Sequence, residues 1–242
     1  MNLKDKNALI TGGNRGIGRA ISCALALKGA HVAVHYHKEK KKVDRTLQKI
    51  EGRGGKAVKV QANVENYSEV QEMMKEVNKN LGSLDVLVNN AGISGPHNTL
   101  EDIGIEEWKE VIGVNLTGVF NCCKAAASDL VKNKGKVINI SSIAGKMGGT
   151  IGCHYAASKA GVIGFTFALA RELAPHITVN AVAPGPVDTE LISEERKKIL
   201  SQKTPFGRIA EPEEIAHTVV YLLENDYVSG EVIDVNAGRY MD

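Results

Sequence analysis

Short apolar runs alternate with longer amphipathic stretches along almost the whole chain. The apolar runs occupy residues 8–10, 31–35, 57–61, 84–88, 136–140, 177–183 and 232–235. Runs this short, bounded by glycine, proline or polar residues, are typical of buried strands. Stretches with apolar residues at helical spacing lie between them, as at residues 70–81 and 212–223. This alternation predicts the α/β class, with a doubly wound parallel sheet of about seven strands and helices on both faces.

The organisation of the chain is that of one domain. No linker interrupts the alternation of strands and helices, so we expect residues 1–242 to form a single unit. The charged segment at approximately 190–208 has weak apolar periodicity, which indicates a substrate flap more than part of the core. The segment from Trp108 to Lys132 predicts a long helix that contains Asn115. Asn is a mediocre helix former, so Asn115 is either exposed or present for its hydrogen bonds.

The composition describes a protein with an ample apolar core and little net charge. Hydrophobic residues make up 43% of the chain, and the formal net charge is +2. That charge is too small to indicate a nucleic acid or an anionic membrane as a partner. No apolar run approaches the ~18 residues of a membrane span, and the charged segment after Met1 leaves no room for a signal peptide. We therefore expect a cytoplasmic protein.

The cysteine and histidine residues give no metal motif. The four cysteines form no Cys-x-x-Cys pair and resemble small buried apolar residues of a reducing compartment. His35 and His37 stand two apart, but no further clustered ligands accompany them. We expect no metal.

A glycine-rich turn separates the first strand from the first helix. The sequence Thr11-Gly12-Gly13-Asn14-Arg15-Gly16-Ile17-Gly18 follows the apolar run 8–10 and opens a helical pattern. Such a turn lets the backbone approach a pyrophosphate at the helix N-terminus, where free N–H groups and the helix dipole favour anions. An ordinary tight turn is the alternative, but the strand–turn–helix context favours a Rossmann-like dinucleotide site.

Two further stretches lie where a dinucleotide would bind. Asn89-Asn90-Ala91-Gly92 follows the fourth strand, and ligands of open α/β sheets sit beyond such strand ends, although a plain turn fits as well. Tyr36-His37-Lys38 follows the second strand, where NAD-binding folds present an acid to the ribose. With no carboxylate at positions 36 and 37, Arg15 and Lys38 predict binding of a 2′-phosphate, and hence NADP(H) over NAD(H).

Tyr155 and Lys159 lie four residues apart in a helical pattern, and Ser142 follows the fifth strand. Side chains at that spacing share one helix face. A neighbouring ammonium favours phenolate and is expected to lower the tyrosine pKa from ~10, which suits proton transfer near neutral pH. A solvated helix pair is the alternative. A second match to the spacing, Tyr36 and Lys40, has no serine before it and is interpreted as accidental.

Together these motifs resemble the short-chain dehydrogenase/reductase family over essentially the whole chain. The resemblance rests on the glycine turn, the Asn-Asn-Ala-Gly motif, Asn115, Ser142, the Tyr155/Lys159 pair and Pro184-Gly185. It implies that Tyr155 protonates the carbonyl oxygen and that Ser142 hydrogen-bonds it. It also implies that Lys159 tunes the tyrosine and binds ribose, and that Asn115 holds a water that relays protons to Lys159.

The resemblance also implies which residues bind NADP(H). Asn63 takes the position of an acid that usually meets adenine, and Val187 and Thr189 hold the nicotinamide end. The full expected set is Gly12, Asn14, Arg15, Gly16, Ile17, Gly18, Tyr36, His37, Lys38, Asn63, Val64, Asn90, Ala91, Gly92, Tyr155, Lys159, Pro184, Gly185, Val187 and Thr189.

Within the family the chain looks most like the 3-oxoacyl-(acyl carrier protein) reductases. The likeness is carried by phrases such as N-L-T-G-V-F, Y-A-A-S-K-A-G-V-I-G-F and I-T-V-N-A-V-A-P-G. It implies reduction of a 3-oxoacyl thioester, on a carrier protein or on CoA, by a homotetramer. Two departures weaken this assignment: Gly152 replaces a frequent Gln, and the loop at Pro175-His176 lacks an expected arginine. Another ketone or secondary alcohol, or a role as an NADP-binding regulator, remains open.

The substrate pocket is expected to come from residues 94–97, 146–154 and the flap. No clustered arginine is expected there, which favours a neutral carbonyl with an extended tail over a compact acid. Lys132, Lys134 and Lys136 offer a basic approach for an acidic acyl carrier protein, although a solvated helix end is at least as good an interpretation.

Overall fold

The structure is a computed structural model that describes residues 1–149, 151–190 and 192–241. The strands of these residues form one seven-stranded sheet in the order β3-β2-β1-β4-β5-β6-β7. Every neighbouring pair is parallel, which confirms the predicted fold class. The strands are β1 (Asn7–Ile10), β2 (His31–Tyr36), β3 (Lys56–Gln61), β4 (Val86–Asn89), β5 (Lys136–Ile140), β6 (Thr178–Pro184) and β7 (Val232–Val235).

Helices connect the strands, because parallel neighbours can be joined only by crossovers. They are α1 (Gly16–Leu27), α2 (Lys40–Glu51), α3 (Tyr67–Leu81), α4 (Ile105–Ile112), α5 (Gly118–Asn133), α6 (Ala144–Met147), α7 (Cys153–Leu173), α8 (Glu194–Gln202) and α9 (Pro212–Glu224). In the part of the chain that is described, no helix is both long and apolar enough to cross a membrane.

The two faces of the sheet bury separate apolar cores. Leu9 and Ile10 are adjacent and fully buried, yet they belong to different cores, since successive strand side chains point to opposite faces. One core contains side chains of α1, α2 and α9, and the other contains side chains of α3, α5 and α7. The strands of a sheet that is covered on both faces are apolar along their whole length. This is why the strands could be recognised in the sequence as short apolar runs.

The strand order places a topological switch between β1 and β4. The chain runs outward from β1 to β2 and β3, and then returns to build β4 to β7 on the other side. Ligands of open α/β sheets bind beyond the carboxyl ends of strands at such a point. The glycine turn follows β1, and Asn90 to Gly92 follow β4, so both predicted motifs lie there.

A π-helical turn interrupts the long helix that was predicted from Trp108 to Lys132. The turn, Gly113–Thr117, lies between α4 and α5 and contains the fully buried Asn115. π turns are rare and occur frequently at functional sites. The apolar spacing at both ends is helical, so the sequence pattern did not reveal the wider turn between them.

The flap and the cysteines differ in detail from the sequence-based expectations. The flap contains the helix α8, none of whose residues is fully buried. Cys122 and Cys123 are buried as expected, and burial raises the pKa of Cys123 to about 12 and that of Cys122 further. Cys23 is half-buried, but Cys153 is exposed, so the expectation of a buried thiol is wrong for Cys153.

The proposed basic approach for a carrier protein is wrong in its placement. Lys136 is the first residue of β5, at the edge of the sheet opposite to the switch point, and it is only 3% exposed. Its ammonium pairs with Asp226 at 2.8 Å and donates to the carbonyl of Asn225 at 2.5 Å. Lys132 and Lys134 end α5 at the same far edge. These lysines cannot border a site beyond the carboxyl ends of the strands.

Candidate active site

A cavity of about 660 Å³ opens at the carboxyl edge of the sheet. The loops that follow each of the strands β1 to β6 line it, together with α7. Most residues that the sequence singled out meet here. They are Gly12, Asn14, Arg15, Gly16, Ile17, Gly18, His37, Lys38, Asn63, Val64, Asn90, Ala91, Gly92, Ser142, Tyr155, Lys159, Pro184, Gly185, Val187 and Thr189.

Tyr36 and Asn115 do not line this cavity. The Tyr36 ring packs in the apolar core, and its hydroxyl donates to Gln61 Oε1 at 3.3 Å. Because strand side chains alternate, its neighbours His35 and His37 face the cavity instead. Asn115 lies behind the wall, where it supports residues that do border the cavity.

The glycine turn is compact because side chains are missing at specific positions. Gly12 and Gly16 have φ angles of +61° and +48°, a region that disfavours side chains. A Cβ on Gly18 would collide with the carbonyl oxygen of Gly12 and the amide of Asn90. The turn therefore presents bare backbone to the cavity at the start of α1, as a pyrophosphate site requires.

His35 supports the glycine turn from below, a role the sequence analysis missed. Its Nδ1 accepts a hydrogen bond from the N–H of Gly12 at 2.9 Å, and its Nε2 lies 3.0 Å from the carbonyl of Ala62. Burial lowers the pKa of His35 to about 4, so the ring is neutral and carries its proton on Nε2. The only sequence signal was its inward position on a buried strand.

Five charged residues form a clasp at the end of the cavity near Lys38. This charged clasp consists of Arg15, Arg19, Glu39, Lys42 and Glu190. Glu39 lies 3.5 Å from Arg15 and 2.9 Å from Lys42, and Lys42 also pairs with Glu190 at 2.7 Å. Arg19 lies 3.8 Å from Glu190. Pairing with Glu190 raises the pKa of Lys42 and lowers that of Glu190.

The charged clasp places a carboxylate at the expected 2′-phosphate site. The sequence analysis found no carboxylate at positions 36 and 37. Glu39, however, lines the cavity and forms an ion pair with Arg15. An incoming phosphate therefore competes with Glu39 for the guanidinium. Lys38 borders the same end of the cavity.

Tyr155 and Lys159 both line the cavity near the end of β5, with shifted acidities. The Lys159 ammonium donates to the carbonyl of Ile140 at 2.9 Å, and burial lowers its pKa to about 8. Desolvation raises the pKa of Tyr155, and a hydrogen bond with Ser142 partly opposes that rise. The expected lowering by Lys159 is wrong for this structure, because desolvation outweighs the other effects and Lys159 Nζ is directed at Ile140.

Asn115 and Lys159 converge behind Gly92. Asn115 Oδ1 accepts from the N–H of Ile93 at 2.8 Å, and its Nδ2 donates to the carbonyl of Ile93 at 2.9 Å. The same Nδ2 lies 3.0 Å from Ser158 Oγ on α7. A Cβ on Gly92 would lie 3.2 Å from Asn115 Oδ1 and 3.6 Å from Lys159 Nζ. The π turn thus fixes the strand-β4 loop against the helix that carries Tyr155.

A histidine–glutamate–histidine cluster fixes the loop on the other side of Tyr155. The fully buried His154 lies 3.0 Å through Nε2 from Glu107 Oε1, and His97 lies 2.6 Å through Nδ1 from Glu107 Oε2. Hydrogen bonding to His97 lowers the pKa of Glu107 to about 2, and the carboxylate raises the pKa of His97. The sequence analysis missed this cluster, because its members lie far apart in the chain and match no motif.

Part of the cavity lining lies outside the expected cofactor residues, and we call it the substrate half because the sequence analysis expected the substrate pocket there. We use this term for Ser94, Gly95, Pro96, Met147, Gly148, Gly149, Ile151, Ile192, Arg196, Leu200 and Arg239. All but Arg239 belong to the segments that were expected to form the pocket. Two arginines, Arg196 and Arg239, line this half, although the sequence analysis expected no arginine cluster there.

The residues of the cavity fit a phosphorylated dinucleotide. Bare backbone at the glycine turn, the N-terminus of α1 and the cations Arg15 and Lys38 provide partners for its phosphates. In the described part of the chain, no three His, Cys, Asp or Glu residues are grouped so as to hold a metal ion.

Comparisons with known proteins agree with this geometry. A family model described as short chain dehydrogenase matches residues 6–200. The chain is 44% identical over 243 residues to the 3-oxoacyl-[acyl-carrier-protein] reductase FabG of Staphylococcus aureus (strain N315), covering 98% of each chain. It is 42% identical over 239 residues to the 3-oxoacyl-[acyl-carrier-protein] reductase of a Synechocystis species, covering 97% of this chain and 96% of that one.

Two solved structures are similar over nearly the whole chain. The 3-oxoacyl-[acyl-carrier protein] reductase of Brucella melitensis has a TM-score of 0.92 at 37% identity, covering 100% of this chain and 93% of that one. A point variant of actinorhodin polyketide ketoreductase, solved with NADPH, has a TM-score of 0.91 at 33% identity, covering 97% of each chain.

Proposed function

This chain belongs to the short-chain dehydrogenase family, and from that premise we propose that it reduces 3-oxoacyl thioesters to 3-hydroxyacyl thioesters with NADPH. The observation that carries the proposal is the meeting of Ser142, Tyr155 and Lys159 in one cavity with the glycine turn. Relatives that bear the reductase name cover this chain almost completely and support the choice of substrate.

The residues of the cavity divide the reaction between binding and proton transfer. NADPH held in this cavity would supply the hydride for the carbonyl carbon. Ser142 orients the carbonyl oxygen through its hydroxyl, and Tyr155 donates the proton that this oxygen needs as charge develops on it. Lys159 holds its ammonium beside the ribose site, and Asn115 fixes the loop that carries Gly92. Hydride and proton together convert the ketone to the secondary alcohol.

The cofactor is expected to lie along the cavity from Lys38 to Thr189. Arg15 and Lys38 would pair with the 2′-phosphate, and the N-terminus of α1 would bind the pyrophosphate. Asn63, Val64, Val187 and Thr189 line the cavity. The first two would border the adenine, and the last two would border the nicotinamide end. Tyr36 contributes through the fold of β2, since its side chain packs in the core.

The proposed activity is tested by following NADPH absorbance with several carbonyl compounds. We expect acetoacetyl-CoA and an acetoacetyl carrier protein to be reduced, with Tyr155→Phe as the inactive control. Preference for an unrelated ketone over both thioesters by more than tenfold, ~1.4 kcal/mol of transition-state stabilisation, would overturn the substrate assignment. Such a result would leave the family and the chemistry in place.

A reductase or dehydrogenase for another ketone or secondary alcohol is the second candidate. Gly152 and the arginine-free loop at Pro175-His176 favour it, and the lysines near β5 face away from the cavity. An NADP-binding regulator is less well supported, because a sensor does not require Ser142, Tyr155 and Lys159 together. Turnover above the Tyr155→Phe control with any carbonyl compound excludes the regulator.

We further propose that the protein works in the cytoplasm as a homotetramer, on a substrate carried by CoA or an acyl carrier protein. The support for assembly is an apolar surface shared by α5 and α7. Phe120 and Phe167 are 45% and 49% exposed, and Phe120 stacks edge-on with Phe165 at 6.4 Å between ring centroids. Exposed aromatic residues on long helices are typical of subunit contacts.

A further inference from the structure

Arg239 lies in the wall of the substrate half of the cavity, where no motif of the chain predicts it. It follows β7 in a turn whose own hydrogen bonds fix its backbone. Its N–H donates to the carbonyl of Asn236 at 3.1 Å, and the Asn236 side chain donates to the carbonyl of Tyr240 at 3.0 Å. The backbone of Arg239 is therefore held in place beside the cavity.

The guanidinium of Arg239 is incompletely satisfied by the protein. Its Nη1 is shielded from solvent and has no hydrogen-bond partner among the described residues. A guanidinium is charged at every relevant pH and has five N–H donors. A buried charged donor without a partner is costly, and such an atom calls for an explanation. Arg239 lines the cavity, so a small rotation about its flexible side-chain bonds would give this donor a ligand oxygen as its partner.

Asp234, five positions before Arg239 in the chain, does not neutralise it. Asp234, on β7, pairs with Lys146 at 2.7 Å through Oδ2, and its Oδ1 has no hydrogen-bond partner among the residues that the structure describes. Lys146 also lies over the Tyr240 ring, 5.7 Å from its centroid. Within residues 1–149, 151–190 and 192–241, neither Asp234 nor the cavity residue Glu110 forms an ion pair with Arg239. Arg196 adds a second guanidinium to the same half of the cavity.

We propose that Arg239 anchors an anion subsite, so that the carbonyl substrate carries an oxyanion group beyond its reacting carbon. The proposal rests on the proposed function, because it places that substrate in the cavity of Tyr155. A carboxylate or phosphate satisfies a guanidinium with short, charge-assisted hydrogen bonds. The group has two possible sources, a carboxylate at the end of the acyl chain or a phosphate of the carrier arm.

Three thioesters distinguish these sources. The neutral reference is the N-acetylcysteamine thioester of 3-oxohexanoate, the second is the same thioester with a terminal carboxylate, and the third is 3-oxohexanoyl-CoA. We expect kcat/KM for one anionic thioester to exceed that for the neutral one at least tenfold. In Arg239→Met that ratio should fall at least tenfold, and Arg239→Lys should retain part of it. The thioester whose advantage is lost identifies the source of the anion.

The matched control is Arg171→Met, which removes an exposed arginine of α7 outside the cavity. Equal ratios in wild type and Arg239→Met, or no advantage of either anionic thioester, would overturn the subsite. If no thioester is reduced, the proposed function fails. Ligand binding measured by calorimetry then tests whether the anion subsite exists. Calorimetry with glutarate and with coenzyme A should then show a dissociation constant at least tenfold weaker for one of them in Arg239→Met. Unchanged binding of both would refute the subsite.

Discussion

Burial shifts the acidities of Tyr155 and Lys159 in opposite directions, toward the neutral form of each. The phenol keeps its proton to higher pH, and the ammonium loses its own with a pKa of about 8. Tyr155 is therefore protonated at neutral pH, which is the state that carbonyl reduction requires. Oxidation of an alcohol needs the phenolate instead. The protonation state of Tyr155 thus favours reduction near neutral pH and oxidation at alkaline pH.

Replacing Tyr155 by Phe should lower kcat by at least ~10²-fold, since it removes the general acid. Cofactor affinity should be nearly unchanged, because the hydroxyl alone is lost. Lys159→Ala should impair both turnover and cofactor binding. Steady-state kinetics and NADPH titration separate these effects. A Tyr155→Phe enzyme that keeps a tenth of the activity would remove Tyr155 from its role.

The buried ammonium of Lys159 predicts a pH-dependent stability in the absence of cofactor. Its pKa falls from 10.5 to about 8 on folding, so the unfolded chain binds the extra proton between these values. Stability therefore rises with pH through this window, and the burial penalty is fully present below pH 8. The penalty is at most roughly 3 kcal/mol.

Urea unfolding of wild type and Lys159→Met at several pH values measures this effect. The stability advantage of Lys159→Met should shrink as pH rises from 8 toward 10.5. A constant difference between the two proteins across that range would show that Lys159 is not desolvated as the structure describes.

Sequence reasoning found the residues whose chemistry stands in a motif and missed those that act through distant contacts. Tyr155 and Lys159 were identified by their helical spacing together with the family resemblance, and the glycine turn by its place between a strand and a helix. The pair of Glu107 and His154 is separated by 47 positions, and Arg239 follows the last strand without any pattern. The direction of the Tyr155 pKa shift was also unpredictable, because desolvation depends on the surrounding packing.

At the scale of the elements, the charged clasp ties the glycine turn and α2 to the segment after β6. Glu39 holds Arg15, the residue that should bind the 2′-phosphate of NADPH. We expect Glu39→Gln to raise the preference for NADPH over NADH several-fold, because it removes the competing carboxylate. Arg15→Ala combined with Lys38→Ala should erase most of the preference.

The measurement is the ratio of kcat/KM for the two cofactors. Glu194→Gln is the matched control, because Glu194 pairs with Lys197 within α8 and not with the charged clasp. Equal use of NADPH and NADH by the wild type would contradict the assignment of Arg15 and Lys38. A Glu39→Gln enzyme with unchanged preference would show that Glu39 does not compete.

The sequence predicted the strands and most helices within a few residues, but not two elements that border the site. The helix α6 has four residues, too few for a periodic pattern. The π turn at Gly113–Thr117 lies between two stretches with ordinary helical spacing. Both depend on tertiary contacts, such as the hydrogen bonds of Asn115 to the β4 loop.

At the scale of the whole molecule, the two edges of the sheet, formed by the carboxyl ends and by the amino ends of the strands, contain different features. The carboxyl edge holds the cavity, and the amino edge holds the buried Lys136, which pairs with the exposed Asp226. A lysine cluster that looked accessible in sequence therefore lies on the wrong edge for catalysis. Which edge a residue occupies follows from its place along a strand, so this part of the picture was available once the strands were known.

The proposed tetramer predicts that a charge on the apolar surface of α7 breaks the assembly. Phe167→Glu should reduce the mass measured by light scattering at micromolar concentration, because the glutamate would be desolvated at a subunit contact. Tyr227→Glu is the control, since Tyr227 is fully exposed in the loop between α9 and β7 and belongs to neither α5 nor α7. A monomeric wild type, or an unchanged mass for Phe167→Glu, would contradict the assembly or this surface.

The unequal burial of the four thiols makes the chain ready for site-directed labelling. Cys122 and Cys123 are enclosed and hold their protons, while Cys153 is exposed at the first residue of α7. Thiolates are the species that alkylating reagents attack, so the two buried thiols should be inert in the native state. After replacement of the half-buried Cys23 by Ser, a maleimide dye should attach at a single position. That position, Cys153, lies two residues before Tyr155. The fluorescence of the attached dye would therefore report ligand entry, and no new cysteine has to be introduced.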